Sequence, residues 1–152
     1  MNIVLFEPEI PVNTGNIGRT CVATGAKLHL IRPLGFFIDD KSLKRAGMDY
    51  WKSLDVTLYD NFDDFVSKNN NPKIFMIETT TDKLYTNVRY ESDDFIMFGK
   101  ETTGIPEHIL ERYRDTVVRI PMLPGTRSLN LSNAAAIVLF EALRQNGFDG
   151  LE

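Results

Sequence analysis

Residues 132–147 read SNAAAIVLFEALRQNG, and this stretch decides how the chain folds. The pattern predicts a helix over 132–146 closed by Gly147, because glycine favours the position just past a helix end. Apolar residues cover most of its circumference, and a polar face is provided only near its end, by Glu141, Arg144 and Gln145. A helix packed on one sheet keeps a broad polar face. We therefore expect a second buried face, and we favour a homodimer interface over a central core helix.

Upstream of this helix, short apolar runs alternate with helical segments. The runs have the length and the Val, Ile and Phe content of buried strands, and they span residues 3–6, 28–31, 56–59, 74–77, 95–98 and 117–120. The helical segments between them span 14–24, 40–46, 61–68 and 106–114. This alternation predicts a single α/β domain over 1–152: a parallel sheet of about six strands, flanked by helices on both faces. Ligands of such sheets bind in loops at the carboxyl ends of the strands.

The charge of the chain argues against indiscriminate binding to polyanions. Its 152 residues carry a net charge of -4, whereas affinity for phosphates grows with the number of Lys and Arg side chains. The excess acid lies in residues 61–111, where ten acidic side chains accompany five basic ones. The net charge therefore does not rule out a local basic surface outside residues 61–111.

The remaining composition indicates a cytoplasmic protein without metal or membrane anchor. Cys21 is the single cysteine, and neither a CxxC pattern nor a Cys/His cluster is present to hold zinc. His29 and His108 are distant in sequence, and we interpret each as a satisfied core or surface histidine. The first residues lack the features of a secretory signal, and no apolar run approaches the length of a membrane span.

Three segments after predicted strands carry residue types that suit chemistry. The first, 13–19 (NTGNIGR), is interpreted as a tight strand-to-helix turn whose glycines permit close backbone approach and whose helix start offers N–H groups to an anion. The second, 98–106 (FGKETTGIP), places an acid at a strand end. The third, 120–133 (IPMLPGTRSLNLSN), is stiffened by proline and can wall an apolar pocket for a flat heterocycle.

In this order, the three segments resemble the three motifs of the SPOUT class of RNA methyltransferases, over essentially the whole chain. The resemblance implies an α/β fold with a C-terminal trefoil knot, a homodimer, and S-adenosylmethionine as methyl donor. Within that class, the opening NIVLFEPEIPVNTGNIGR and the spacing from 32–36 to 44–50 resemble the enzymes that act on tRNA. These methylate the ribose 2′-hydroxyl of wobble nucleotide 34, a cytidine or modified uridine in the anticodon loop.

The resemblance also implies which residues form the site. Cofactor contacts are expected at four positions near strand ends: Ile77, Gly99, Ile120 and Ser128. Arg19 is expected to act on the ribose hydroxyl. Because a guanidinium stays protonated in proteins, we expect it to stabilise developing negative charge rather than to serve as a base.

Three further polar residues, Asn13, Glu101 and Asn130, are expected to orient loops or substrate. Ordinary hydrogen bonding within the loops is an equally good interpretation of each asparagine. Glu78, which follows the fourth predicted strand, either meets the positive sulfonium or faces solvent.

The segment around Tyr50 and Trp51 is the candidate for contact with RNA. Tyr50 and Trp51 lie beside Lys41, Lys44, Arg45 and Lys52, so they could stack on splayed bases of an anticodon loop, with packing in the core as the alternative. No DNA or membrane partner is expected. Three alternatives stay open: 2′-O-methylation of rRNA or of another tRNA position, a non-enzymatic RNA-binding module, and a nucleotide-binding Rossmann-like enzyme.

Overall fold

Six parallel strands form the centre of the molecule. The computed structural model describes residues 1–39 and 49–152, so the predicted helix over 40–46 and the cluster Lys41, Lys44 and Arg45 lie outside the described residues. The strands run in the order β3-β2-β1-β5-β4-β6, and they are β1 Asn2–Phe6, β2 Lys27–Ile31, β3 Val56–Tyr59, β4 Ile74–Ile77, β5 Phe95–Phe98 and β6 Val117–Val118. The predicted parallel α/β sheet is confirmed. The last strand is shorter than predicted, since Arg119 continues it only as an isolated bridge to Leu84.

Four α-helices are formed by the described residues: α1 Pro11–Thr24, α2 Phe62–Lys68, α3 Glu107–Arg112 and α4 Leu131–Gln145. Asn61 caps α2 by accepting from the Asp64 N–H at 2.9 Å, as its spacing predicts. Gly25 ends α1 with φ +70°, a conformation that glycine adopts without strain. None of these helices is long and apolar enough to cross a bilayer.

The prediction for the first motif is wrong in one respect. The helix predicted over 14–24 is confirmed, but Pro11 starts it three residues earlier than expected, so residues 13–19 lie wholly inside α1 and do not form a tight turn. Gly18 allows another part of the chain to pack closely against α1, since a Cβ there would lie 3.1 Å from Leu54 Cδ2. That leucine follows a 3₁₀ helix over Asp49–Ser53 that the sequence pattern did not indicate.

Helices cover both faces of the sheet, as predicted. On one face, α1 and α4 bury residues such as Ile17, Ala135 and Leu139. On the other face, α2 and α3 bury Phe65 and Ile109. The two apolar cores leave the carboxyl ends of the strands free for loops, and the candidate site lies at that edge.

His29 is a satisfied core residue, as its isolation in the sequence predicts. Its side chain is 5% exposed and lies between the Tyr59 hydroxyl, 2.8 Å from Nδ1, and Asn2 Oδ1, 3.2 Å from Nε2. The Asn2 amide nitrogen already donates to a backbone carbonyl, so its oxygen accepts from Nε2–H and Nδ1 accepts from Tyr59. Burial lowers the pKa of His29 from 6.5 to about 4.

This depressed pKa predicts acid destabilisation with an assignable source. Below pH 6.5 His29 becomes protonated in the unfolded chain, whereas in the folded chain it stays neutral down to about pH 4. The contribution of His29 to the free energy of unfolding is therefore fully present above pH 6.5 and is lost as the pH falls from 6.5 to about 4. We expect the free energy of unfolding to fall by about 2 kcal/mol between pH 7.5 and pH 5. Urea unfolding at a series of pH values should detect this decrease, and in His29→Gln the free energy of unfolding should depend less on pH. An identical pH dependence in that variant would contradict the assignment.

Candidate functional site

A cavity of about 560 Å³ opens at the carboxyl edge of the sheet. Its walls come from the segments after β4, β5 and β6 and from the start of α1, which is where a parallel sheet collects its ligand-binding loops. Such a volume accommodates a drug-sized or nucleoside-sized molecule. All four expected cofactor contacts line it, two of them half-buried, one buried and one exposed: Ile77, Ile120, Gly99 and Ser128.

The second motif is tied to the start of α1 by a reciprocal clamp. Glu101 accepts from the backbone N–H of Glu9 at 2.9 Å and of Ile10 at 3.1 Å. In return, Glu9 accepts from both the backbone N–H and the hydroxyl of Thr102, at 3.0 and 2.8 Å. The Glu101 carboxylate therefore satisfies N–H groups that precede the helix and would otherwise lack intrahelical partners.

A chain of side-chain hydrogen bonds joins all three motifs. Asn13 donates to Glu101 at 3.2 Å and accepts from Asn130 Nδ2 at 3.0 Å. The Asn130 oxygen then accepts from the backbone N–H of Ser132 at 2.9 Å and so caps α4. These partners orient both amides and tie the three segments together. A role of Asn13, Glu101 or Asn130 toward the substrate stays a prediction.

In the loop of the second motif, the backbone at Gly99 packs directly against the backbone at Gly104. Lys100 and Gly104 exchange backbone hydrogen bonds of 3.2 and 2.9 Å, which closes a tight turn. A Cβ at Gly99 would lie 2.2 Å from the carbonyl carbon of Gly104, so no larger residue fits there without moving the backbone. Lys100 also pairs with Glu7 at 2.5 Å, on the side of the loop that faces β1.

Glu78 does not point freely into solvent. It is half-buried and accepts from the Ile105 N–H at 2.6 Å. Burial raises its pKa above the usual value, against the lowering effect of the backbone hydrogen bonds from Ile105 and Thr79. It lines the cavity directly after Ile77, so a carboxylate forms part of the wall.

Arg19 stands apart from this cavity. It is exposed on α1 and is absent from the cavity lining formed by the described residues. Asn13 lies six positions earlier on the same helix, which turns the two side chains to different faces. The structure thus gathers every predicted site residue at the cavity except the proposed catalytic one.

Tyr50 and Trp51 are half-buried against α1. The Tyr50 hydroxyl donates to the Gly15 carbonyl, and Trp51 packs against the core cluster beneath the helix. Burial raises the pKa of Tyr50, with the neighbouring Arg19 acting in the opposite direction. Both rings therefore support α1 beside Arg19, and a stacking role toward RNA stays a prediction.

Glu9 and Thr102 also belong to the site, although the sequence pattern did not indicate either residue. Glu9 belongs to the segment Glu7-Pro8-Glu9 directly after the first strand, and two acids at a strand end are a local signal of a functional loop. Their importance comes from partners about 90 positions away, which a single sequence does not reveal.

A parallel sheet whose carboxyl edge carries these three linked motifs defines an α/β methyltransferase fold of the SPOUT class. The chain belongs to the SpoU rRNA Methylase family, which matches residues 1–140. A relative from Saccharophagus degradans, named tRNA (cytidine(34)-2′-O)-methyltransferase, is 51% identical over 98% of this chain and 97% of its own.

Two solved structures agree with this assignment. One, from work described as structural insights into the 2-OH methylation of C/U34 on tRNA, has a TM-score of 0.89 at 40% identity and covers 96% of this chain and 95% of its own. The SpoU methyltransferase AviRb from Streptomyces viridochromogenes, in complex with AdoMet, has a TM-score of 0.81 at 25% identity, with 96% and 57% covered. The trefoil knot itself stays a prediction from the resemblance.

Proposed function

We propose that this chain transfers a methyl group from S-adenosylmethionine to the ribose 2′-hydroxyl of nucleotide 34, a cytidine or modified uridine in the tRNA anticodon loop. The observation that carries the proposal is the linked cavity, in which Asn13, Glu101 and Asn130 join three separate motifs at one strand edge. The similarity to tRNA methyltransferases over nearly the full length supports the choice of substrate.

The cavity suits this cofactor in size and in chemistry. Apolar side chains such as Phe98, Met122 and Leu129 line it beside loop backbone, a combination that holds a flat heterocycle by burial and by hydrogen bonds. Ile77 and Gly99 would hold the nucleoside from the strand ends, with Ile120 and Ser128 on the opposite loop. When bound, the cofactor supplies an electrophilic methyl group on a sulfonium. The described residues include no cluster of three or more side chains able to hold a metal ion.

Arg19 is the residue we assign to the reacting hydroxyl. Its guanidinium stays protonated, so it would stabilise negative charge that develops on the ribose oxygen, while the proton leaves to a phosphate or to water. The clamp between Glu101 and the residues before Pro11 fixes the start of α1, and so it would hold Arg19 at a constant distance from the cofactor loops.

A homodimer through α1 and α4 completes the proposal. The two helices pack together and leave apolar side chains exposed on both: Val12 is 57% exposed, Ile137 38% and Phe140 47%. Ile137 and Phe140 are three residues apart and share one helix face. Covering this face with a second copy would remove it from water, and would bring Arg19 on α1 to an interface rather than to open solvent.

Methylation of rRNA is the second candidate, favoured by one observation. A solved rRNA methyltransferase from Sinorhizobium meliloti with bound AdoMet matches 94% of this chain at 27% identity and a TM-score of 0.80. The present chain covers only 55% of that larger protein, however, whereas it matches the relative named as a tRNA methyltransferase over almost the full length of both chains. We therefore propose tRNA as the partner, and with it a cytoplasmic location.

Transfer of a labelled methyl group tests the proposal. Purified protein, S-adenosyl[methyl-³H]methionine and total tRNA from cells that lack this protein should give label, and mapping should locate it at the ribose of nucleotide 34. Total rRNA from the same cells is the matched control. Label in rRNA alone would overturn the substrate assignment, and absence of label in both would overturn the chemistry.

A further inference from the structure

Glu78 lies among the backbone segments that form the cavity wall. It follows Ile77 at the end of β4, and its Oε1 accepts from the Ile105 N–H across the loop. The same oxygen would lie 2.5 Å from a Cβ at Gly104, whose φ of +70° already favours glycine. The carboxylate is therefore fixed in place at the cavity by packing and by a hydrogen bond, before any ligand binds.

Glu78 differs from the other charged residues of the cavity lining. Lys100 is paired with Glu7, and the exposed Arg127 lies on the opposite loop. The carboxylate of Glu101 accepts hydrogen bonds from three N–H donors at the start of α1. Glu78 receives only backbone N–H groups, from Ile105 and Thr79, and among the described residues it forms no ion pair. A half-buried carboxylate without a cation is costly, so the site favours a ligand that carries positive charge nearby.

We propose that the Glu78 carboxylate is the electrostatic partner of the cofactor's sulfonium, so that the cavity distinguishes the methyl donor from its demethylated product. The inference rests on the proposed function. The sulfonium is bonded directly to the ribose C5′, so it lies close to residues that hold the nucleoside. Glu78 adjoins both Ile77 and the loop of Gly99, where those contacts are expected. The ammonium group of the cofactor lies further out along its flexible methionine chain.

This pairing has a direct chemical consequence. Methyl transfer converts the sulfonium to a neutral thioether, so the attraction to Glu78 is present before the reaction and absent after it. S-adenosylhomocysteine would then lose a contact that S-adenosylmethionine has, while the nucleoside and the amino acid moiety stay the same. Glu78 would be a specificity residue that favours loading of the donor over retention of the product.

Calorimetric titration of the full chain with both ligands tests the inference. Glu78→Gln keeps an oxygen that can accept from the Ile105 N–H, so it removes the charge and leaves the loop contact. We expect the Kd for S-adenosylmethionine to rise about tenfold and that for S-adenosylhomocysteine to change less than about twofold. Sinefungin, which carries an ammonium group in place of the sulfonium, should follow the donor. Glu107→Gln, which neutralises an exposed acid outside the cavity lining, should change none of the three.

The other outcomes overturn the inference. Equal weakening of donor and product would assign Glu78 to the ribose hydroxyls or to the ammonium group, and unchanged binding would place it outside the cofactor contacts. Glu78→Thr, a second neutral variant with a hydroxyl acceptor, should show the same selective loss, and thermal unfolding checks that both variants are folded. Failure of the wild-type protein to bind either ligand would overturn the proposed function itself and this inference with it.

Discussion

Replacing Arg19 by alanine should lower the turnover number for tRNA methylation by about 10²–10³-fold, the loss that follows removal of one donor to a developing oxyanion. The affinity for S-adenosylmethionine should stay within about twofold of wild type, because Arg19 lies outside the cavity that the cofactor loops form. Single-turnover methyl transfer with saturating tRNA measures the first quantity, and calorimetry measures the second.

Two companion variants separate chemistry from simple loss of charge. Arg19→Lys keeps the positive charge without the planar fork of donors, so it should retain an intermediate rate. Arg89→Ala removes another exposed arginine, which pairs with Glu91 on the surface, and this variant should react at the wild-type rate. Near-normal turnover of Arg19→Ala, with tRNA binding retained, would show that another group stabilises the hydroxyl.

The sheet could be predicted from the sequence because local pattern determines it. Strands such as Ile74–Ile77 and Phe95–Phe98 are continuous apolar runs of strand length, and burial on both faces requires such runs. The signals for helix ends are also local in sequence, since the Asn61 cap and Gly25 act on residues a few positions away. The predicted start of α1 at residue 14 is three positions too late, although Pro11 is a local signal, since proline favours a first helical turn.

The site was predicted as a set of residues but not as an arrangement. The resemblance selected Asn13, Glu101 and Asn130, yet their mutual hydrogen bonds join positions separated by 88 and 117 residues. Glu9 is a further case, since its role appears only once Thr102 is placed opposite. Pairings of this range depend on which loops the topology brings together, and one sequence without the fold does not specify them.

Part of the excess acid lies at the edge of the sheet opposite the cavity, which lessens the apparent conflict between net charge and an RNA substrate. Asp93 and Asp94 come immediately before β5, at the amino edge of the sheet, and Asp94 is paired there with Lys73 at 2.9 Å. The cavity lies at the opposite, carboxyl edge. Because screening at physiological salt limits the reach of exposed charges to about 8 Å, these acids leave the proposed substrate side largely unaffected.

The second large effect concerns α4. Phe140→Glu should convert the proposed dimer to a monomer, because it would place an unpaired charge in an apolar interface at a cost of about 4 kcal/mol, or about 10³-fold in the dimer Kd. The folded monomer itself should tolerate the change, since Phe140 is 47% exposed there and lies outside the core clusters of the described residues. Sedimentation velocity measures the mass, and thermal unfolding checks the fold.

Loss of the dimer should also weaken tRNA binding, because we expect basic side chains of both subunits to form one surface that contacts the tRNA phosphates. Phe37→Glu is the matched control: it adds the same charge at an aromatic residue that is 83% exposed and lies on neither helix, so it should leave the dimer intact. Wild-type affinity should fall steeply with salt, as counterions compete for the tRNA phosphates. A Phe140→Glu protein that still sediments as a dimer would place the interface elsewhere, and a monomeric variant with full tRNA affinity would contradict the shared surface.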